Sequence, residues 1–182
     1  MKHFLPILPA LILAACGAES DQIDPVDPAE TATPREIHER ILVMDSHLDT
    51  PANLSKPDFD IIADNPTRMG QVQVDLPKMQ RGGLDGGFWV IFTPQGPLDE
   101  ASYEAAKQAA LTRSDEIIAM VEAHPDQFEL AYTADDAERI VAEGKRIVFQ
   151  SIENSYPLGT DLTVLEDFYE RGVRLVGPVH FR

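Results

Sequence analysis

Apolar and polar positions fall in alternating blocks along most of this chain. Ile41-Leu42-Val43-Met44 is a short continuous apolar run that stops at Asp45. Gly87-Phe88-Trp89-Val90-Ile91-Phe92-Thr93 is almost wholly apolar, which predicts a strand covered on both faces. Residues 146–152 and 173–176 read the same way, and 41–46 completes a set of four predicted strands. Helical patterns separate them. Thr33-Pro34-Arg35-Glu36 offers an N-cap, a proline at the first helical position and a capping-box glutamate, opening a short helix over 34–40. Residues 98–123 predict a long helix with Ala105, Ala109, Ile117, Met120 and Val121 in its apolar stripe. Thr133-Ala134-Asp135-Asp136 opens another that stops at Gly144, and 161–170 form one that ends at Gly172. Residues 75–81 predict a helical turn closed by Gly82-Gly83, 128–132 a short extended piece, and 50–73 a long loop with Pro51, Pro57, Pro66 and Gly70.

Strands separated by helices imply repeated βαβ units, an α/β fold and a parallel sheet. The turn after the first strand, His47-Leu48-Asp49-Thr50-Pro51, lacks the glycines of a phosphate-cradling turn, which disfavours a doubly wound sheet. Ionisable residues gather instead at the C-terminal ends of strands: His47 and Asp49 on the first, Glu153 on the third, His180 after the fourth. That face carries the active site in a (β/α)8 TIM barrel, which needs about 250 residues. The expectation is an incomplete barrel, about the first four β/α units, over residues 34–182. Such a half barrel leaves sheet edges that invite pairing with another chain, a second copy in a homodimer included.

The bulk numbers narrow the partners. The chain has 182 residues, 43% of them hydrophobic, enough for one domain with a core. A net charge of −16 argues against a nucleic-acid partner, because no basic surface meets the phosphates. Cys16 is the single cysteine, so no disulfide forms within the chain. It follows Lys2 and a short apolar stretch from Phe4 to Ala15, the pattern of an export signal over residues 1–15. Leu13-Ala14-Ala15-Cys16 looks like a bacterial lipobox, with Cys16 as the lipidated residue. The expected location is the periplasmic side of a bacterial membrane, held by a lipid anchor. An ordinary secretory signal with a soluble periplasmic product is the alternative. Residues 16–33 are acidic and Pro-containing and read as a tether.

Asp45, His47 and Asp49 share one strand face if the strand runs through Asp49. Carboxylates and an imidazole on one face suit a divalent cation; they equally suit a polar strand end meeting solvent. Added to Glu153, with His180 nearby, His47 and Asp49 offer nitrogen and carboxylate ligands that suit Zn2+ or another transition metal doing hydrolysis.

Four segments carry a resemblance to a known family. They are Asp45-Ser46-His47-Leu48-Asp49; Val74-Asp75-Leu76-Pro77 through Gly82-Gly83 to Phe88-Trp89; Ser151-Ile152-Glu153; and Gly172-Val173-Arg174-Leu175 to His180. In that order they resemble the motifs of the membrane (renal-type) dipeptidases, zinc enzymes on an amidohydrolase-like (β/α)8 barrel. The resemblance runs from about Ile41 to Arg182 and implies zinc-dependent hydrolysis of dipeptides by metal-activated water. It implies that His47 and Asp49 bind the first Zn2+, that Glu153 bridges two Zn2+ ions, that His180 contacts substrate and steadies the oxyanion, and that Asp45 orients the ligands. Ser46 stands where the family has glycine, and Asn154-Ser155-Tyr156 where it has Gly-Gly-His or similar. These last three residues are expected to rim the pocket, which leaves another small amide open as substrate. The family's later histidine ligands, arginine and aspartate have no counterpart in the chain, so a non-catalytic fragment and a periplasmic binding lipoprotein stand as alternatives.

Other polar residues have plainer readings. Trp89 is expected in the core, His124 at a helix end and His38 exposed on a helix. Asp135-Asp136 supply helix N-terminal charge, and Asp58, Asp60 and Asp64 are solvated. Glu100, Glu104, Lys107 and Arg113 form an exposed helix face.

Overall fold

In chain order the elements are α1 (Pro34–His38), β1 (Met44–Leu48), α2 (Leu76–Gly82), β2 (Gly86–Phe92), α3 (Glu100–Ala123), β3 (Phe128–Leu130), α4 (Ala134–Ala142), β4 (Arg146–Glu153), α5 (Val164–Glu170) and β5 (Val173–Val176). Two 3-10 turns, Thr50–Asn53 and Tyr156–Leu158, follow β1 and β4. The structure, a computed structural model, describes residues 32–67 and 72–180. The expected signal segment, Cys16 and nearly all of the tether lie outside the described residues. No described helix is long and apolar enough to cross a membrane.

All described strand pairings are parallel, and β1, β2, β4 and β5 are successive neighbours. That is the sequential order of strands in a (β/α)8 barrel, and the fold is α/β of this type, with four such strands among the described residues and helices after the first three. The sheet has five strands rather than the expected four. The short extended piece is a strand, β3, which pairs with the first half of the far edge of β4 while β5 takes the second half. Three residues carry too little pattern to mark it in the sequence.

Local chemistry explains most boundaries. Asp75 caps α2 by accepting the Lys78 N–H at 3.0 Å, and Gly83 closes it in the left-handed conformation at φ 69°. Asp99 caps α3, and Thr133 with Asp136 forms a capping box on α4. On Gly87 a Cβ would stand 2.3 Å from the Asp45 carbonyl oxygen, so only glycine lets β1 and β2 close.

The first strand begins three residues later than its apolar run. Val43 exchanges backbone and side-chain bonds with Asp85, both at 2.9 Å, and Ile41 and Leu42 before it stay exposed. The buried stripe of α3 is Ala106, Ala110, Ser114, Ile117 and Val121, with Met120 beside it; Ala105 and Ala109 face solvent. Ser114 keeps its place in the stripe because its hydroxyl donates to Gln150 Oε1 at 2.8 Å, and Gln150 Nε2 donates to the Arg171 carbonyl at 2.7 Å. His38 is half-buried rather than exposed, with Nε2 3.1 Å from the Gly82 carbonyl oxygen. The loop after β1 is folded too: Thr50, Asn53, Ile61 and Asn65 are buried, while Asp58, Asp60 and Asp64 are exposed as expected.

Alternate residues of β2 and β4 face opposite layers. Trp89, Ile91, Val148 and Ile152 pack with Ile117, Met120 and Val121 of α3. Trp89 is fully buried, as expected, with its ring edge-on to Phe128 at 5.8 Å; burying a side chain of that size contributes about 3 kcal/mol. On the other face Phe88 stacks on Phe149 at 5.2 Å, joined by Ile147 and by Ala137 and Ile140 of α4. Glu153 has the parity of Ile147 and Phe149, so it rises from this second face at the C-terminal end of the sheet.

Candidate metal centre

Three of the ionisable residues picked from the sequence converge. His47 Nε2 lies 3.3 Å from Asp49 Oδ1 and 3.4 Å from Glu153 Oε2. One ligand atom from each of the three residues falls within 4.8 Å of the others. The second oxygen of Glu153, Oε1, lies 3.5 Å from His180 Nε2, and the His180 ring packs edge-on against Phe92 at 5.1 Å. The Glu153 carboxylate therefore stands between two imidazoles.

The strand ends produce this arrangement. Phe92 and Glu153, the last residues of β2 and β4, lie side by side in register. The pairing of β1 with β2 slips between Asp45 and Leu48, and Asp49 leaves the strand at φ −76°, ψ 0° to open the Thr50–Asn53 turn. The strand ends at Leu48, so Asp49 does not extend the face of Asp45 and His47 as a strand residue. The bend returns Asp49 to His47, whereas Asp45 Oδ1 accepts the backbone N–H of His47 at 2.9 Å.

Spacing distinguishes these contacts from ordinary hydrogen bonds. An N–H···O bond has its atoms at about 2.9–3.0 Å. Zinc takes nitrogen and oxygen ligands at about 2.0–2.1 Å in a tetrahedron, whose edge is then about 3.3 Å. The two edges at His47, 3.3 and 3.4 Å, match that figure. The donor set is one imidazole and two carboxylates, and the side chains of His47 and Asp49 are 47% and 80% exposed, leaving room for further ligands. The residues present therefore fit a divalent cation.

A cleft of about 380 Å³ opens at this point, lined by His47, Asp49, Phe92, Arg113, Glu153 and His180. Arg113 was expected on an exposed helix face. Its guanidinium instead donates to the Pro51 carbonyl and pairs with Glu116 at 2.5 Å, tying α3 to the turn that follows Asp49. The available signal was its place one residue before the stripe position Ser114. Asn154, Ser155 and Tyr156 do not rim the cleft. Asn154 and Tyr156 are buried, and all three side chains bond to backbone carbonyls.

Parallel strands in barrel order, ending in an imidazole and carboxylates around one cleft, define a barrel-type α/β protein with a cation-ready rim. The sequence model of the membrane dipeptidase family, peptidase family M19, matches residues 31–182, and the chain belongs to that family. It is 30% identical over 119 residues to Dipeptidase tcpJ of Claviceps purpurea (strain 20.1), an alignment covering 63% of this chain and 28% of that protein. The probable dipeptidase PvdM of Pseudomonas aeruginosa superposes with a TM-score of 0.68 at 33% identity, covering 78% of this chain and 35% of that one. A metallopeptidase from Rhodobacter sphaeroides, solved with a phosphinate mimic of the dipeptide L-Ala-D-Ala, superposes with a TM-score of 0.61 at 27% identity, covering 78% and 46%. The chain thus spans less than half the length of each of these relatives.

Proposed function

We propose that this protein acts in the zinc-dependent hydrolysis of dipeptides, with His47, Asp49 and Glu153 as cation ligands. The observation that carries the reading is the pair of donor-atom edges at His47, 3.3 and 3.4 Å, at the C-terminal end of a barrel-type sheet. Its family membership and the dipeptide mimic held by the Rhodobacter sphaeroides relative support the substrate class.

A zinc ion held there would supply Lewis acidity for the peptide carbonyl and make water a nucleophile near neutral pH. The chain's own residues do the rest. Asp45 accepts the His47 N–H, which holds the strand end that presents the imidazole. Glu153 offers one oxygen toward His47 and the other toward His180, so it serves two neighbouring positions at once. His180, against Phe92 at the cleft wall, is placed to donate to an oxyanion developing beside Glu153. Because Asn154-Ser155-Tyr156 are not among the residues lining the cleft, they give no ground for preferring another amide over a dipeptide.

Export and lipid anchoring at Cys16 belong to the same proposal and rest on the Leu13-Ala14-Ala15-Cys16 pattern. The test is release of alanine from L-Ala-D-Ala by the full chain in zinc-containing buffer. Hydrolysis that is lost in both His47→Ala and Glu153→Ala is expected. Hydrolysis unchanged in those variants, or none by the parent, refutes the reading.

A further inference from the structure

Three consecutive side chains after Glu153 each donate to a backbone carbonyl, two of them in the connection from β2 to α3 and one just past β5. Asn154 Nδ2 donates to the Thr93 carbonyl, just past β2, at 3.0 Å. Ser155 Oγ donates to the Gly177 carbonyl, just past β5, at 3.0 Å. Tyr156 Oη donates to the Pro97 carbonyl, between β2 and α3, at 2.6 Å, and its ring lies 5.2 Å from that of Tyr103. The Gly177 N–H closes the circle by donating to the Ile152 carbonyl at 2.8 Å.

Asn154 also sits at φ 69°, the one positive φ outside glycine among the described residues. Asparagine tolerates that region better than most residues, though less well than glycine. A strained backbone persists where its surroundings over-determine it, and here the buried amide, 3% exposed, is bonded to the neighbouring strand end. The turn sets the direction in which β4 delivers Glu153. Its two flanking strand ends, β2 and β5, lead to Phe92 and His180, which line the same cleft.

We infer that Asn154-Ser155-Tyr156 is a positioning latch that fixes the Glu153 carboxylate between His47 and His180. The inference rests on the reading of Glu153 as a cation ligand. None of its three side chains belongs to the ligand set or lines the cleft. It binds the end of β4 to the ends of both neighbours, so the carboxylate is held in place before any ligand arrives.

The test is Co2+ titration of the full chain, followed by the visible absorption bands of the bound ion, with thermal unfolding of the metal-free protein in parallel. The variants are Asn154→Gly, Ser155→Ala and Tyr156→Phe, with Glu153→Gln as control. Asn154→Gly keeps the backbone conformation accessible and removes only the amide. Each latch variant is expected to weaken Co2+ binding about tenfold and to alter its absorption bands, with the unfolding midpoint little changed. Parent-like affinity and bands in all three, with binding lost in Glu153→Gln, overturn the latch alone. Weaker binding that merely follows a fall in the unfolding midpoint also overturns it. Parent-like binding in Glu153→Gln overturns the ligand reading beneath it.

Discussion

Two polar clusters in this protein, Asp75 with Asn65 and Lys78, and His47 with Asp49 and Glu153, have opposite characters. Around Asp75 every acceptor is used. Its Oδ2 takes the Asn65 N–H at 2.9 Å, the Asn65 amide at 3.2 Å and the Lys78 ammonium, and its Oδ1 takes the Lys78 N–H. Burial pushes the Asp75 carboxyl up, but these bonds together outweigh it and hold the group below the ordinary carboxylate range. Around His47 the contacts to Asp49 and Glu153 lie beyond hydrogen-bond length, and the side chains are partly open to solvent. The first cluster has closed on itself and fastens the loop after β1 to α2. The second brings one imidazole nitrogen and two carboxylate oxygens within 4.8 Å of one another. The first cluster carries its own cation in Lys78, whereas the second sets one imidazole against two carboxylates and leaves space between them.

The contrast breaks most visibly at Asp75. Asp75→Ala removes the cap on the Lys78 N–H, the partner of the buried Asn65 N–H and one of the partners of the Lys78 ammonium, and should cost about 2–4 kcal/mol in denaturant unfolding. Asp49→Asn is the converse. It should leave unfolding within about 0.5 kcal/mol of the parent, because the side chain is 80% exposed, while weakening Zn2+ binding by calorimetry at least tenfold, on the order of a ligand's contribution. Arg113 lies between the two cases. Arg113→Met removes the bond to Pro51 and should cost about 1 kcal/mol of stability by thermal unfolding, with a smaller loss of Zn2+ affinity than Asp49→Asn.

The smallest effect is a pH dependence remote from the rim. Backbone N–H bonds from Tyr132 and Thr133, the Thr133 hydroxyl and Arg139 hold the Asp136 carboxyl down at about 2. A depressed folded-state value contributes stability above the ordinary carboxylate range, and that contribution fades as pH falls toward 2. The difference in unfolding midpoint between the parent and Asp136→Asn should therefore shrink between about pH 5 and pH 2.

Much of the fold was legible because caps and buried runs are local signals. Asp75, Thr133 and Gly83 sit where cap chemistry puts them, and β5 occupies the expected residues 173–176. The long-range facts were not local. The run Ile41-Leu42 is exposed, and the true start of β1 depends on Asp85, more than forty residues away. The face of α3 turned on one position because Ser114, a polar residue, finds Gln150 across the sheet. At the rim, His47, Asp49 and Glu153 were picked out by residue type, spacing and family resemblance, but the strand stops before Asp49. A register slip and a helical bend, neither visible in the pattern, bring Asp49 back to His47. Arg113 and the three residues after Glu153 were misplaced because their partners are backbone carbonyls, which a sequence does not display.

The central claim is that His47, Asp49 and Glu153 hold a divalent cation. Calorimetric titration of Zn2+ into the full chain, alongside His47→Ala, tests it most directly. The account predicts a saturable site in the parent that disappears in His47→Ala while the unfolding midpoint of the metal-free variant stays that of the parent. Binding of equal strength in both proteins, or no binding in the parent, contradicts it.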